Sequence, residues 1–211
     1  MIRTTALAVL LAASFPAFAS EQAKAAVDLA KAKGIAESVC VACHGADGNS
    51  PAAANPILAG QVPDYLYKQL SNFKAVDGKP AVRANPIMAG MVATLSDEDM
   101  RSLAAYFSQQ KIKPSVAKDE KLLAEGKALW RKGDFSKQVP ACAGCHGPAG
   151  GGLPAQYPRL GGQYAEYTVN QLKNFRSHER ANDTEKVMQT IAGKLSDAQI
   201  GAVAEYAAGL R

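Results

Sequence analysis

The chain has 211 residues, of which 47% are hydrophobic and 20% are charged. This composition is typical of a folded, soluble protein and excludes a disordered or fibrous one. The 24 basic and 19 acidic residues give a formal net charge of +5. They are interleaved along the chain, and no basic stripe with stacking aromatic residues occurs, which argues against nucleic acid binding.

The first 19 residues predict a secretory signal peptide. Arg3 precedes a short apolar run, and the small-residue sequence Ala17-Phe18-Ala19 ends just before Ser20. The apolar run is too short to anchor the chain in a bilayer. No later stretch approaches the roughly 20 apolar residues that a spanning helix needs. We therefore expect an exported protein without a transmembrane segment, and the sequence leaves peripheral membrane association open.

The rest of the chain contains two copies of one sequence. Pro56-Ile57-Leu58-Ala59-Gly60-Gln61 aligns with Pro158-Arg159-Leu160-Gly161-Gly162-Gln163 at an offset of 102 residues. After a two-residue deletion the offset becomes 100, and Leu95-Ser96-Asp97 aligns with Leu195-Ser196-Asp197. An internal repeat of this length predicts two related domains. We place the first at residues 20–110, a linker containing Pro114 at 111–118, and the second at 119–211.

Both copies predict helices, with no alternating pattern long enough for a strand. A first helix precedes the cysteines, around residues 27–36 and 122–132. A second carries Tyr, Gln, Leu and Phe one helical turn apart, over residues 65–73 and 167–175. A third begins at a capping box, at Ser96 in one copy and at Ser196 in the other. Glycine- and proline-rich loops are expected between these helices, so the predicted fold class is all-α.

The four cysteines occur in two Cys-x-x-Cys-His motifs, formed by Cys40, Cys43 and His44 and by Cys142, Cys145 and His146. In an exported protein an even number of cysteines suggests disulfides by default. The repeated histidine favours covalent haem instead, because both thiols add to porphyrin vinyl groups and the histidine then lies under the iron. A zinc site would bring two cysteine pairs together at shorter separation, and a thioredoxin-like dithiol needs a preceding strand.

Each copy also has a methionine that can serve as the sixth ligand of the iron. Met88 and Met188 lie 44 and 42 residues after their histidines and seven residues before equivalent leucines. Met91 is the rival of Met88, but its repeat partner is Ile191, which cannot bind iron. We therefore expect Met91 to pack in the core or at the haem edge. A thioether ligand favours ferrous iron and raises the reduction potential relative to a second histidine.

Taken together, these motifs resemble those of the class I cytochromes c, and more closely those of the two-domain, dihaem cytochromes c4. The resemblance covers nearly all of residues 20–211. It rests on the Cys-x-x-Cys-His motifs, the Pro-x-Leu-x-Gly-Gln segments, the methionines and the Leu-Ser-Asp helices. It implies two tandem class I cytochrome c domains, each a small helical domain around one covalently bound haem c.

The resemblance also implies roles for particular residues. The carbonyl groups of Pro56 and Pro158 would accept hydrogen bonds from the far ring nitrogens of the two motif histidines. Gly34 and Gly126 would let the first helix of each domain cross closely over the last. Gly126 stands sixteen residues before its cysteine and Gly34 only six, so the second domain carries a ten-residue insertion. The haem propionates would lie near the interface between the domains.

The function that the resemblance implies is that of a periplasmic dihaem electron carrier. It would take single electrons from a quinol-oxidising cytochrome bc-type complex or a similar donor. It would pass them to a terminal oxidase or another soluble carrier, and no catalytic residue is expected. A dihaem peroxidase would need an open iron position and a distal base, yet both methionine positions are filled and the chain has only three histidines. A haem subunit of a membrane-bound oxidoreductase complex remains an alternative.

Overall fold

The computed structural model describes residues 27–153 and 156–211, so the predicted signal peptide lies outside the described residues. The first half contains helices α1 (Leu29–Ile35), α2 (Val41–His44), α3 (Pro63–Phe73), α4 (Pro86–Val92) and α5 (Asp97–Ser108). The second half contains α6 (Glu120–Lys132), α7 (Ala143–His146), α8 (Ala165–Ser177), α9 (Val187–Gly193) and α10 (Asp197–Gly209). A π-helical segment, Ala36–Cys40, joins α1 to α2, and short 3-10 turns occur at Phe135–Lys137 and Thr184–Lys186.

The prediction of an all-α, two-domain fold is confirmed. The same order of five helices occurs twice, and in the described part of the chain extended pairing is limited to three isolated β-bridges. Each half has its own apolar core. The first is built around Ala32, Leu66, Phe73, Leu103 and Phe107, and the second around Leu129, Trp130, Leu195, Ile200 and Val203.

Both predicted capping boxes are present, at the start of α5 and of α10. The Ser96 hydroxyl accepts a hydrogen bond from the Asp99 amide at 3.1 Å, and the Asp99 carboxylate accepts one from the Ser96 amide. Ser196 and Gln199 form the same reciprocal pair in the second half. These bonds satisfy amides at the helix start that have no partner within the helix.

The expected loops around the two methionines are wrong, because short helices occupy those segments. The Asn85 side chain accepts a hydrogen bond from the Met88 amide at 2.9 Å, and Pro86 takes the first position of α4. Asparagine before proline is a helix-start signal that the sequence contains. The residue before helix α9 makes no side-chain capping hydrogen bond. The Asp183 carboxylate instead accepts a hydrogen bond from the Gln189 amide.

A glycine at the crossing of the first and last helices is found in the second domain only. Helix α6 packs against α10, and a Cβ atom on Gly126 would lie 2.1 Å from the Ala202 carbonyl oxygen. The expectation for Gly34 is wrong, since nothing lies within 4 Å of a Cβ placed there. Ala32 and Ala36, one turn apart and fully buried, are the small residues on the packed face, and Gly34 lies between them on the other side.

The linker segment between α5 and α6 is non-helical and is tethered to both halves. The Lys113 amide donates to the Asn49 side chain at 2.7 Å, and the Ser115 amide donates to the Gly162 carbonyl at 2.7 Å. The predicted insertion lies between α6 and α7, where Val139 turns back into the second core. The domain bounds at 20–110, 111–118 and 119–211 remain predictions.

The helix crossings lead to a prediction about stability. Gly126→Ala should lower the free energy of unfolding of the second domain by about 1–3 kcal/mol, because the new methyl group overlaps the backbone of α10. Gly34→Ala is the matched control, and it should leave stability unchanged or raise it by up to about 1 kcal/mol through helix propensity. Thermal unfolding of the exported holoprotein measures both. Equal losses in the two variants would contradict the asymmetry.

Candidate haem-binding sites

Each Cys-x-x-Cys-His motif forms a single helical turn that ends at a glycine. In the second domain the His146 amide donates to the Cys142 carbonyl at 2.9 Å. Gly45 and Gly147 follow the histidines with φ angles of 73° and 81°, a region that favours glycine. The chain therefore leaves the helix directly after the histidine, and a side chain at Gly45 would collide with the Asn49 carbonyl oxygen.

Both motif histidines are buried, with 8% of His44 and 6% of His146 exposed. Their Nδ1 atoms lie 3.0 Å from the carbonyl oxygens of Pro56 and Pro158, respectively. A carbonyl oxygen only accepts hydrogen bonds, so Nδ1 must carry the proton and Nε2 is left with a free lone pair. The contact that the resemblance implies is thus present in both halves.

The electrostatic environment keeps these imidazoles neutral. Burial lowers the pKa of His44 and of His146 below the ordinary value, and the hydrogen bond to the proline carbonyl opposes this shift in part. A neutral imidazole whose Nδ1 is fixed by a carbonyl is the form in which histidine ligates a metal through Nε2.

Burial disfavours the thiolate form of the first cysteine in each motif. All four cysteines are free. Burial raises the pKa of Cys40, and it raises the pKa of Cys142 to about 11. A reactive dithiol of the thioredoxin kind needs a lowered thiol pKa, and here helix α1 and the π-helical segment, not a strand, precede Cys40.

The zinc interpretation has no geometric support in the structure. The two cysteine pairs lie in different domains, where Cys40 and Cys142 directly precede α2 and α7 and Cys43 and Cys145 lie on these helices. In residues 27–153 and 156–211 there is also no cluster of three or more His, Cys, Asp or Glu side chains that could hold a metal ion. A tetrahedral site of four protein ligands would require such a cluster.

The methionines differ in exposure. Met88 on α4 is half-buried and packs against the first core, and Met188 on α9 is half-buried in the second domain. Met91 lies on the same helix as Met88 with 43% of its surface exposed, so it does not pack in the core, and the alternative position at the haem edge stays a prediction. Of the two methionines on α4, Met88 is the one directed into its domain.

Aromatic rings surround the histidine of the second domain. Trp130 is fully buried, its ring centroid lies 6.4 Å from that of His146, and its indole N–H donates to the Pro148 carbonyl at 3.2 Å. Tyr157 meets the same imidazole edge-on at 6.1 Å. These rings contribute to the burial of His146.

Two buried arginines at the contact between the domains were missed by the sequence analysis. The guanidinium groups of Arg83 and Arg180 stack over Phe73 and Phe175 at 4.5 and 4.4 Å, respectively. Both guanidinium groups also donate hydrogen bonds to the opposite domain. Arg83 donates to the Gln171 side chain at 2.7 Å, and Arg180 donates to the Tyr65 hydroxyl at 2.9 Å.

The two arginines are structural equivalents, because their amides donate to the carbonyls of Asn72 and Asn174. They are 97 residues apart, so neither the offset of 102 nor that of 100 aligns them. Within the described ranges, neither forms an ion pair with a carboxylate of the chain. Buried cations of this kind suit a cofactor that brings its own carboxylates.

The residues present fit two haem c groups. Each domain supplies a pair of free thiols, a buried imidazole with a free Nε2 and a half-buried thioether. A thiol pair with a neighbouring histidine is the attachment set for a covalent haem, and a thioether is a soft axial ligand. Two helical domains with this donor set define a c-type cytochrome.

Comparison with known proteins gives the same class. The sequence model of the cytochrome c family matches twice, at residues 29–111 and 123–210. The chain is 45% identical to cytochrome c4 of Pseudomonas aeruginosa over 97% of both chains. It is 39% identical to the thiosulfate dehydrogenase electron acceptor of Stutzerimonas stutzeri, over 83% of this chain and 80% of that one.

A solved structure, that of reduced recombinant cytochrome c4 from Pseudomonas stutzeri, superimposes with a TM-score of 0.82. It is 43% identical and aligns with 88% of this chain and all of that one. The chain belongs to the cytochrome c family and, within it, to the cytochromes c4. It therefore carries two covalently bound haem c groups and is a dihaem electron carrier.

The attachment residues can be tested by mass. Replacing Cys142 and Cys145 with alanine should leave one haem on each denatured chain, because only the first domain keeps its thiol pair. Mass spectrometry of the intact exported protein counts the haems. His178→Ala, at an exposed position outside both motifs, is the control and should retain two. Two haems on the doubly substituted chain would refute the assignment.

Proposed function

We propose that this protein is a periplasmic carrier of single electrons and that it performs no bond-breaking chemistry. Bound haem supplies an iron that cycles between Fe(III) and Fe(II). The covalent attachment residues are Cys40, Cys43, Cys142 and Cys145, and the axial ligands are His44, Met88, His146 and Met188. Pro56 and Pro158 orient the histidines.

The observation that carries this proposal is the pair of identical histidine contacts. The 3.0 Å contact from Nδ1 to a proline carbonyl occurs in both domains, on imidazoles that are buried and neutral. It fixes the ring plane and keeps Nε2 basic. A ligand held in one orientation suits electron transfer, since little has to move when the iron changes its charge.

The position of the third histidine argues against a peroxidase. A peroxidase needs a polar group that acts on substrate beside an open iron position. His178 is exposed at the end of α8, and its Nδ1 lies 2.9 Å from the Gln189 side-chain oxygen. It therefore lies at the protein surface, and both methionine positions are filled.

The electron donors and acceptors are inferred from the family. We propose a quinol-oxidising cytochrome bc-type complex as donor and a terminal oxidase or another soluble carrier as acceptor. The relative named as a thiosulfate dehydrogenase electron acceptor makes such a dehydrogenase an alternative donor. In the part of the chain that the structure describes, none of the helices combines the length and apolar character needed to cross a bilayer.

Charge and exposure favour docking through apolar contact. Removal of the predicted leader takes away Arg3 and leaves a formal charge of +4, which the four propionates of two haems offset. Around α4, which carries Met88, the side chains of Val82, Ile87 and Met91 are exposed. A nearly neutral protein with apolar groups beside its redox centre gains little from long-range steering.

The choice between the two methionines of α4 can be tested by spectroscopy. Met88→Ala should abolish the methionine-to-iron charge-transfer absorption of one haem and lower its midpoint potential, because the soft thioether is lost. Met91→Ala is the matched control on the same helix and should leave both unchanged. The reverse pattern would show that Met91 is the ligand and that the alignment between Phe73 and Leu95 is wrong.

Electron transfer from a purified cytochrome bc-type complex tests the function and the docking together. Rapid reduction of both haems is expected, and the rate should change only modestly from low to high salt. A steep fall with salt would mean that a local lysine patch governs docking. Peroxide consumption coupled to haem oxidation, without reduction by the complex, would favour the enzyme over the carrier.

A further inference from the structure

The glutamines that end the two Pro-x-Leu-x-Gly-Gln segments reach into the opposite domain. Gln61 and Gln163 are buried, with 7% and 6% of their surfaces exposed. The Gln163 side chain accepts a hydrogen bond from the Ile57 amide and donates one to the Ile57 carbonyl, both at 3.0 Å. The Gln61 side chain makes the same two bonds to Arg159, at 2.7 and 3.0 Å. Each glutamine thus pairs with the backbone of one residue of the other domain.

Each glutamine accepts a hydrogen bond from the N–H of a peptide group whose carbonyl in turn accepts a hydrogen bond from a motif histidine. The N–H of Ile57 and the C=O of Pro56 are the two ends of one peptide unit. The carbonyl accepts from His44 of its own domain, and the N–H donates to Gln163 of the other domain. In the second domain, the peptide unit of Pro158 and Arg159 lies between His146 and Gln61 in the same way.

Hydrogen bonds in such a chain strengthen one another. A peptide N–H that donates to a good acceptor shifts electron density toward its carbonyl oxygen, which becomes a stronger acceptor in turn. A stronger bond from Nδ1–H makes the imidazole more electron-donating at Nε2. A more strongly donating axial ligand stabilises ferric iron and lowers the reduction potential, and hydrogen bonds to the ligands are one of the means by which proteins tune the potential of a haem.

We propose that Gln61 and Gln163 are crossed positioning residues, each of which sets the donor strength of the axial histidine in the opposite domain and so the potential of the opposite haem. This inference rests on the proposed function to the extent that His44 and His146 are the iron ligands. Gln163 acts on the first haem through His44, and Gln61 acts on the second through His146.

The carboxamides are held in the orientation that this role requires. The side-chain oxygen of Gln61 also accepts a hydrogen bond from the amide of Val62 at 2.9 Å. That of Gln163 accepts one from the amide of Tyr164 at 3.0 Å. Each oxygen therefore lies between an amide of its own domain and one of the other. A glutamine that served only to join the domains would not need its partner amide to lie on a histidine-holding peptide group.

Other bonds across the interface allow the glutamines to be changed while the domains stay docked. Arg83 donates to Gln171, and Arg180 donates to Tyr65. The Tyr164 hydroxyl donates to the Ser50 carbonyl at 2.7 Å. None of these bonds touches the two peptide groups that hold the histidines.

The test compares Gln163→Met with Gln61→Met in the holoprotein. Gln163→Met should raise the midpoint potential of the first-domain haem and leave that of the second in place, and Gln61→Met should do the reverse. The two potentials are assigned to domains with the Met88 variant. In the reduced protein, the ¹⁵N and ¹H shifts of the Nδ1–H group should move toward a weaker hydrogen bond for His44 in the first variant and for His146 in the second.

Gln163→Glu serves as the conservative variant. It keeps an acceptor oxygen for the Ile57 amide, and so it should not raise the first-domain potential. It also keeps the test decisive if small-angle scattering shows that the methionine variant separates the domains. A shift confined to the glutamine's own domain, equal shifts in both, a rise with glutamate or no shift at all would overturn the proposal. If the unchanged protein lacks the absorption spectrum of haem ligated by histidine and methionine, the proposed function itself is wrong.

Discussion

A buried, neutral imidazole requires a fixed hydrogen-bond acceptor, and this requirement organises each domain. An unsatisfied N–H at that depth would cost about 1–3 kcal/mol. The proline carbonyl that accepts this hydrogen bond is held in place by the loop after the motif. The amides of Leu58 and Ala59 donate to the Gly48 carbonyl, and those of Leu160 and Gly161 donate to the Gly150 carbonyl. Gly48 and Gly150 both have positive φ, and any Cβ there would overlap the backbone that it has to approach.

The same peptide groups organise the contact between the domains. Because the halves are copies, every bond made by Gln61 has a counterpart made by Gln163, as in a two-fold interface between identical subunits. The arginines follow the same rule, each stacked on its own domain and bonded to the other. Polar groups this deeply buried are stable only when they are hydrogen-bonded. The relative placement of the domains is therefore specified by many bonds of fixed direction.

The sequence predicted most of this structure where the signal was local or repeated. Helices α3, α5, α8 and α10, the two capping boxes and the Cys-x-x-Cys-His turns follow from periodicity and motif. Helix α4 was missed although Asn85 and Pro86 mark its start. The buried arginines could not be found from the repeat, because they are 97 residues apart and neither the offset of 102 nor that of 100 aligns them. The role that the resemblance implied for Gly34 was wrong because helix phase places Ala32 and Ala36, and not Gly34, on the side of the first helix that faces α5.

The two halves are alike at the interface and differ in the side chains packed against the motif histidine. The peptide contacts of the two histidines match at 3.0 Å. The rings of Trp130 and Tyr157 lie against His146, whereas the residue aligned with Tyr157 in the first domain is Asn55. An apolar wall disfavours the extra positive charge of ferric iron, and among these contacts in the described part of the chain the aromatic rings are found at His146 only. We therefore expect the crossed glutamines to act alike on both haems, and differences between the haems to come from the side chains packed against each histidine.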